Sequence, residues 1–206
     1  MKILELFKGF GSITDYYKDT DHEIISLDIL KEYSPTICCD IMEWNYKEYQ
    51  VGHFDIIWAS PECKIFSQLQ HTHIGKKWTD INELKTQRDI HSKFIKKTIE
   101  IIRYFKPTFY FIENPLYSKI WDYVDNDYKN DFVIIDYCYF GYDYKKPTKI
   151  LTNKKLENKR CSCKNHKIRL GIVSDKLKGN TAKSDNTTLK QRYSIPQTLL
   201  KYLLVT

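Results

Sequence analysis

Short apolar runs recur along the chain, and most of them end on a polar residue or a glycine. Ile3 to Phe7 is the first, followed at once by Lys8-Gly9-Phe10-Gly11-Ser12, where glycine admits a tight turn that other residues resist. Ile13 to Lys18 is polar and helix-compatible, and Glu23 to Leu27 reads as a second strand ending on Asp28. Thr36 to Cys39 gives a short strand before Asp40-Ile41. Phe54 to Ala59 gives a clearer one, FDIIWA, that runs straight into Ser60-Pro61-Glu62-Cys63. From Glu83 to Phe105, Ile90, Phe94, Ile95, Ile99, Ile101 and Ile102 keep near-helical spacing until Pro107, which predicts a helix. Phe109 to Ile112 is a buried-type strand ending on Glu113-Asn114-Pro115. Val133 to Phe140 is another, closed by Gly141, and Lys149 to Leu151 is a short one.

Alternating strands and helices of this kind predict an α/β fold with an open, mostly parallel sheet and helices on both faces. Ligands of such sheets bind outside the carboxyl ends of the strands, so Gly9, Asp28, Asp40, Cys63 and Glu113 are expected to converge there. Beyond Leu151 the chain turns polar and basic through Lys190, with CSCKNHK in its midst, before apolar residues return from Ile195 to Val205. The expected organisation is a core over 1–153, a basic insert over 154–190 and a C-terminal helix over 191–206 that returns to the core.

Composition narrows the classes. A chain of 206 residues with 42% hydrophobic residues, 7 Gly and 6 Pro is neither disordered nor low in complexity, and it has room for one full domain. Lys and Arg number 33 against 26 Asp and Glu, a net charge of +7 that favours a polyanionic partner. Richness in Lys, Ile, Tyr and Asn is also what a nucleotide-biased genome produces, so part of that charge is background. MKILELFKGFGS carries no signal-peptide pattern, and no apolar run reaches the roughly 20 residues of a membrane span. The expectation is an intracellular, cytoplasmic protein with reduced cysteines and no membrane partner, or one working in a host cell if the source is a phage or virus.

Four places carry candidate chemistry. The glycine loop lets backbone approach a cofactor closely. Asp28, about twenty residues further on at the end of a second strand, is placed to accept hydrogen bonds from ribose hydroxyls; a solvated strand-end aspartate is the plainer reading. Cys63 sits on the loop after an expected central strand with Lys64 beside it, a positive setting that favours thiolate, whereas Cys38, Cys39 and Cys138 read as structural. Glu113 is held at the mouth of an apolar strand, where a carboxyl group can share a proton; pairing with a nearby lysine is the alternative.

Taken together, LELFKGFGS, Asp28, Asp40-Ile41, ASPECKIFS, FYFIENP and YSIPQTLL fall in an order and spacing that resembles the DNA (cytosine-5)-methyltransferase family, from about residue 3 to the C-terminus. The resemblance implies a Rossmann-like S-adenosylmethionine-dependent methyltransferase fold. It implies that Phe7, Gly9, Phe10, Gly11 and Ser12 surround the methionine part of the cofactor, that Asp28 and Ile29 take ribose and adenine, and that Asp40 and Ile41 face the adenine amino group. Cys63 would then be the nucleophile that adds to C6 of a flipped cytosine in double-stranded DNA, and Glu113 the acid that steadies the base.

Departures from the family pattern are local. Glu62 stands where a second proline is usual and puts a negative charge beside the thiol. Tyr144-Lys145-Lys146-Pro147-Thr148-Lys149 replaces a Gln-x-Arg-x-Arg block, with Lys146 in the arginine's place although it cannot match bidentate contacts. Only about forty residues separate Asn153 from Arg192, so target recognition is expected to be short or supplied by a partner protein. Lys154, Lys155, Lys159, Arg160, Lys164, Lys167 and Arg169 in that insert suit phosphate contacts, as they suit a solvated surface. Cys161-x-Cys163-x2-His166 has closer spacing than usual zinc pairs and no obvious fourth ligand, so no metal is assigned. Gln68 to Asp80, with His71 and His73, reads as a mobile loop able to close over DNA. A catalytically silent binding relative and an enzyme acting on RNA are the rival readings, and a restriction-modification role is implied by the family alone.

Overall fold

The computed structural model describes residues 1–128, 130–142, 144–162, 190 and 193–204. Seven strands, β1 (Lys2–Leu6), β2 (Glu23–Asp28), β3 (Ile37–Cys38), β4 (Ile56–Ala59), β5 (Phe109–Pro115), β6 (Phe132–Asp136) and β7 (Pro147–Thr152), form one sheet in the order β3-β2-β1-β4-β5-β7-β6. The first five run parallel, and β7 is antiparallel to both β5 and β6. Strand order reverses between β1 and β4, the position at which an open α/β sheet leaves a crevice.

Period-two alternation buries both faces. Leu4, Leu6 and Ile57 point to one side and pack with Ile95, Ile99 and Ile102 of α3 (Lys93–Phe105). Ile3, Ile56, Trp58 and Phe111 point to the other, against Ile13 and Tyr17 of α1 (Ser12–Tyr17) and Leu199, Leu200 and Leu203 of α4 (Gln197–Leu204). Each fully buried leucine of α4 contributes about 1.5–3 kcal/mol, which ties the far end of the chain to its first strand.

Three expectations of local structure are corrected. The helix predicted across 83–105 is two helices, α2 (Ile81–His91) and α3, broken at buried Ser92, whose hydroxyl donates to the Asp89 carbonyl at 2.6 Å; Ile90 is exposed, outside the apolar face of α3. Asp80 caps α2 by accepting from Asn82 N and Glu83 N, while the Glu83 carboxylate reaches back to accept from Thr79 N, one residue before the cap. The strand predicted over 133–140 ends at Asp136 and becomes a 3₁₀ turn through Phe140, because the chain must reverse into antiparallel β7. Cys38, read as structural, is exposed on the edge strand.

The start of the basic insert is fastened to the core. Asp136, fully buried, accepts from Arg160 Nε at 3.0 Å and from the Cys161 backbone N–H at 2.8 Å, with Lys145 Nζ at 3.5 Å. Lys164, Lys167, Arg169, Cys163, His166 and Arg192 lie outside the described residues. Among the described residues no three His, Cys, Asp or Glu side chains gather as a metal site, and no helix is long and apolar enough to cross a membrane.

Candidate active site

Strand register explains why distant motifs meet. Leu6 pairs with Leu27 on β2 and with Ala59 on β4, and Ala59 pairs with Ile112 on β5. The next residue on each strand, Phe7, Asp28, Ser60 and Glu113, emerges at the same edge of the sheet.

The loop after β1 turns through three left-handed residues, Phe7 (φ 57°), Gly9 (φ 50°) and Gly11 (φ 72°). Asp28, only 8% exposed, holds it: Oδ2 accepts from Gly9 N and Oδ1 from Leu30 N, each at 2.9 Å. Asp28 thus shapes the loops on both sides of it, and its remaining lone pairs are what it has for a ligand. Glu5 was not singled out in the sequence, although a carboxylate inside LELF is the one polar break in an apolar strand. It is buried, accepts from Ile13 N at 3.0 Å, Thr14 N at 3.1 Å and the Thr14 hydroxyl, and so pins the first turn of α1. Burial pushes its carboxyl up, with these donors pulling the other way.

A cleft of about 160 Å³ opens between these elements, walled by Phe7, Gly9, Phe10 and Ser12 of the loop, with Glu5 beneath and Tyr33, Trp58, Ser60 and Tyr193 around it. Phe10 and Tyr33 meet edge to face at 5.3 Å. Ser12 Oγ accepts from Ile195 N at 3.1 Å, so the segment leading into α4 closes one side. Aromatic walls, a side-chain-free approach at Gly9 and a buried carboxylate suit a ligand with a flat ring and a positive charge. Ile29 is 62% exposed just beyond Asp28. Asp40 turns its Oδ1 onto Met42 N at 2.9 Å, and Ile41 is buried in the core, so its side chain is not at the cleft; the strand-end spacing brought the pair near, but the turn sends Ile41 inward.

Cys63 and Glu113 stand close enough for the carboxylate to act on the thiol. Burial first, then Glu113 and lastly Glu62, push the Cys63 thiol up, while Lys146 pulls it down. This corrects the expectation of a thiolate favoured by Lys64: that side chain is exposed, and the cation acting on the sulfur is Lys146, just ahead of β7, the neighbour of β5. Glu62 is half-exposed with its carboxylate 3.7 Å from His91 Nδ1, which leaves it a minor influence. Lys146 Nζ lies 3.6 Å from Glu113 Oε1, and the buried Tyr137 hydroxyl donates to the same oxygen at 3.1 Å. Antiparallel β7 makes this possible, since it begins one residue after Lys146 and runs back along β5.

Supports for the nucleophile loop were also missed in the sequence. Asn114 Nδ2 donates to the Pro61 carbonyl at 2.8 Å. Arg88 of α2, 7% exposed, donates from Nε to Ile65 O at 3.1 Å and from Nη2 to Ser67 O at 3.0 Å. The segment from Gln68 to Asp80, expected to be a mobile loop, begins with a 3₁₀ turn and is anchored by buried Trp78, whose Nε1 donates to buried Gln70 at 3.0 Å. A large aromatic ring in the core outweighs the loop-like composition around it.

No protein-family model matches the chain. A curated relative, a probable DNA (cytosine-5)-methyltransferase of Frog virus 3 (isolate Goorha), is 28% identical over 160 residues, covering 74% of this chain and 71% of the viral protein. Among solved structures, the Entamoeba histolytica methyltransferase EhMeth superposes with a TM-score of 0.53 at 15% identity over 77% of this chain and 56% of its own. The Dnmt2 methyltransferase of S. pombe gives a TM-score of 0.50 at 15% identity over 76% of this chain and 51% of its own. This chain spans little more than half the length of those two proteins, and the likeness to them is one of fold. The fold is shared with these two methyltransferases, and the sequence similarity to the viral protein runs through most of both chains.

Proposed function

We propose that this protein methylates C5 of cytosine in DNA, with Cys63 as nucleophile and Glu113 as proton donor. The observation that carries the reading is that Cys63 follows β4 and Glu113 sits at the matching end of neighbouring β5, with Lys146 Nζ 3.6 Å from Glu113 Oε1, on the edge of the sheet that also holds the glycine-loop cleft. Cytosine C5 is a poor nucleophile until the ring loses its aromaticity. Addition of the Cys63 thiolate to C6 moves the C5=C6 electron pair toward C5 as Glu113 delivers a proton to ring N3. After methylation a solvent base takes the C5 proton, the C5–H electron pair re-forms C5=C6, the Sγ–C6 bond breaks with its pair leaving on the thiolate, and the N3 proton returns to Glu113.

The cleft suits S-adenosylmethionine, whose positive charge and adenine match the Glu5 and Asp28 carboxylates and the Phe10 and Tyr33 rings. When bound it supplies the electrophilic methyl group. Phe7, Gly9, Phe10, Gly11 and Ser12 would hold its amino-acid end, and Asp28 and Ile29 its ribose and adenine, with Asp40 and the Ile41 backbone beyond. Because Cys63 is half-buried, the target base has to leave the duplex stack to reach it. The viral relative is described as acting on DNA, and the net charge of +7 suits that polyanion.

The test is incubation of the protein and S-adenosylmethionine with duplex DNA containing 5-fluorocytosine. Fluorine cannot leave as the proton does, so a denaturation-resistant adduct is expected, absent in Cys63→Ala. An adduct on 5-fluorocytosine RNA alone would move the substrate to RNA. No adduct on either, together with no transfer of labelled methyl to DNA or RNA, would overturn the enzymatic reading in favour of a silent binding protein.

A further inference from the structure

We infer that Tyr137 is a positioning residue for Glu113, fixing which of its two carboxyl oxygens exchanges a proton with the base. The inference rests on Glu113 acting as proposed above. Tyr137 lies in the 3₁₀ turn after β6, fully buried, with its hydroxyl 3.1 Å from Glu113 Oε1. Lys146 packs its ammonium over the Tyr137 ring, 4.5 Å from the centroid, and reaches the same Oε1 at 3.6 Å. Thr148, also fully buried, donates its hydroxyl to the Lys146 carbonyl at 3.1 Å and so holds the backbone from which that lysine reaches the ring.

Two donors converging on Oε1 make that oxygen the acceptor. A carboxyl group so held carries its own proton on Oε2. When that proton passes to ring N3, the carboxylate charge left behind rests on an oxygen already facing an O–H and an ammonium. On elimination the proton returns from N3 to Oε2. Burial and the neighbouring carboxylate both push the Tyr137 phenol well above its usual range, so it stays a donor throughout. Pattern and spacing give no hint of this role, since Tyr137 is one of 16 tyrosines.

Tyr137→Phe removes the O–H and keeps the ring under Lys146. The expected result is a fall in kcat, and in the rate of adduct formation on 5-fluorocytosine DNA, of about 10- to 100-fold, the cost of one hydrogen bond to a charged group. KM for S-adenosylmethionine and for DNA should stay within about twofold of wild type. In a Glu113→Gln background the same substitution should cost nothing further, which a merely structural role would not produce. If melting shows that Tyr137→Phe does not fold, Thr148→Val, which releases the Lys146 carbonyl and loosens the lysine packed on the phenol ring, should give the same split between kcat and KM at smaller amplitude. Wild-type kcat in the folded variant, or an equal loss with and without Glu113, would overturn the inference while leaving the function intact. A wild-type protein that neither traps nor methylates any nucleic acid would overturn both.

Discussion

Asn114 spans the two halves of the candidate active site: it follows Glu113 on β5, and its side-chain amide donates to the carbonyl of Pro61, two residues before Cys63, at 2.8 Å. That one bond fixes the height of the nucleophile loop relative to the proton donor. Asn114→Ala orphans a buried carbonyl acceptor, which costs about 1–3 kcal/mol. The expected outcome is a lower melting temperature together with a slower adduct rate on 5-fluorocytosine DNA and unchanged S-adenosylmethionine affinity. An adduct rate equal to wild type would mean that the loop holds its place without this bond.

Cys63 is a thiol raised by burial and by Glu113, with Lys146 opposing. The sign follows directly: at neutral pH most of it is protonated, and the thiolate fraction grows as pH rises. Alkylation of Cys63 by iodoacetamide, followed by peptide mass spectrometry, should accelerate through the alkaline range. Lys146→Met removes the charge that favours thiolate, so its curve should lie at still higher pH. A curve that moves to lower pH, or stays in place, would mean that Lys146 does not act on the sulfur.

Asp28 has both oxygens committed to backbone donors of two loops. Asp28→Ala should weaken S-adenosylmethionine binding by about 1–3 kcal/mol, the usual cost of a lost charged hydrogen-bond partner, while leaving Cys63 alkylation unchanged. Isothermal titration reads the first and mass spectrometry the second. Unchanged affinity would show that the ribose contact is made elsewhere and that Asp28 only shapes the glycine loop.

The sequence showed the strand ends of this site well because parallel strands deliver their last residues to one edge, and Gly9, Asp28, Cys63 and Glu113 each follow a short apolar run. Side chains that arrive from the β6–β7 region left no such trace in the apolar pattern, and Lys146 was marked by the family resemblance alone. Lys146 reaches Glu113 only because β7 runs antiparallel, and neither that direction nor the 3₁₀ turn carrying Tyr137 is written in the period of the apolar residues. Glu5 was legible as a charge in an apolar strand, but its partners, Ile13 and Thr14, depend on how α1 docks. The two-helix break at Ser92 and the burial of Trp78 are packing outcomes that override a regular pattern in one case and a loop-like composition in the other.

Arg88 provides the sharpest test of how far the site's rigidity matters. Its buried guanidinium donates to two carbonyls, Ile65 O and Ser67 O, just after the nucleophile, and Ser67 O also accepts from Gln70 N at 3.1 Å. Arg88→Met would leave the Ile65 carbonyl without its side-chain donor at a cost of about 1–3 kcal/mol, with a smaller loss at Ser67, and Arg88→Lys would not restore both bonds, because one ammonium cannot reproduce the geometry of the guanidinium fork. Both variants should melt earlier than wild type and expose the backbone amides of 63–67 to faster hydrogen exchange, with a parallel loss of adduct formation. Exchange confined to α2, with the 63–67 amides as protected as in the parent, would place the role of Arg88 in helix packing instead of in the nucleophile loop.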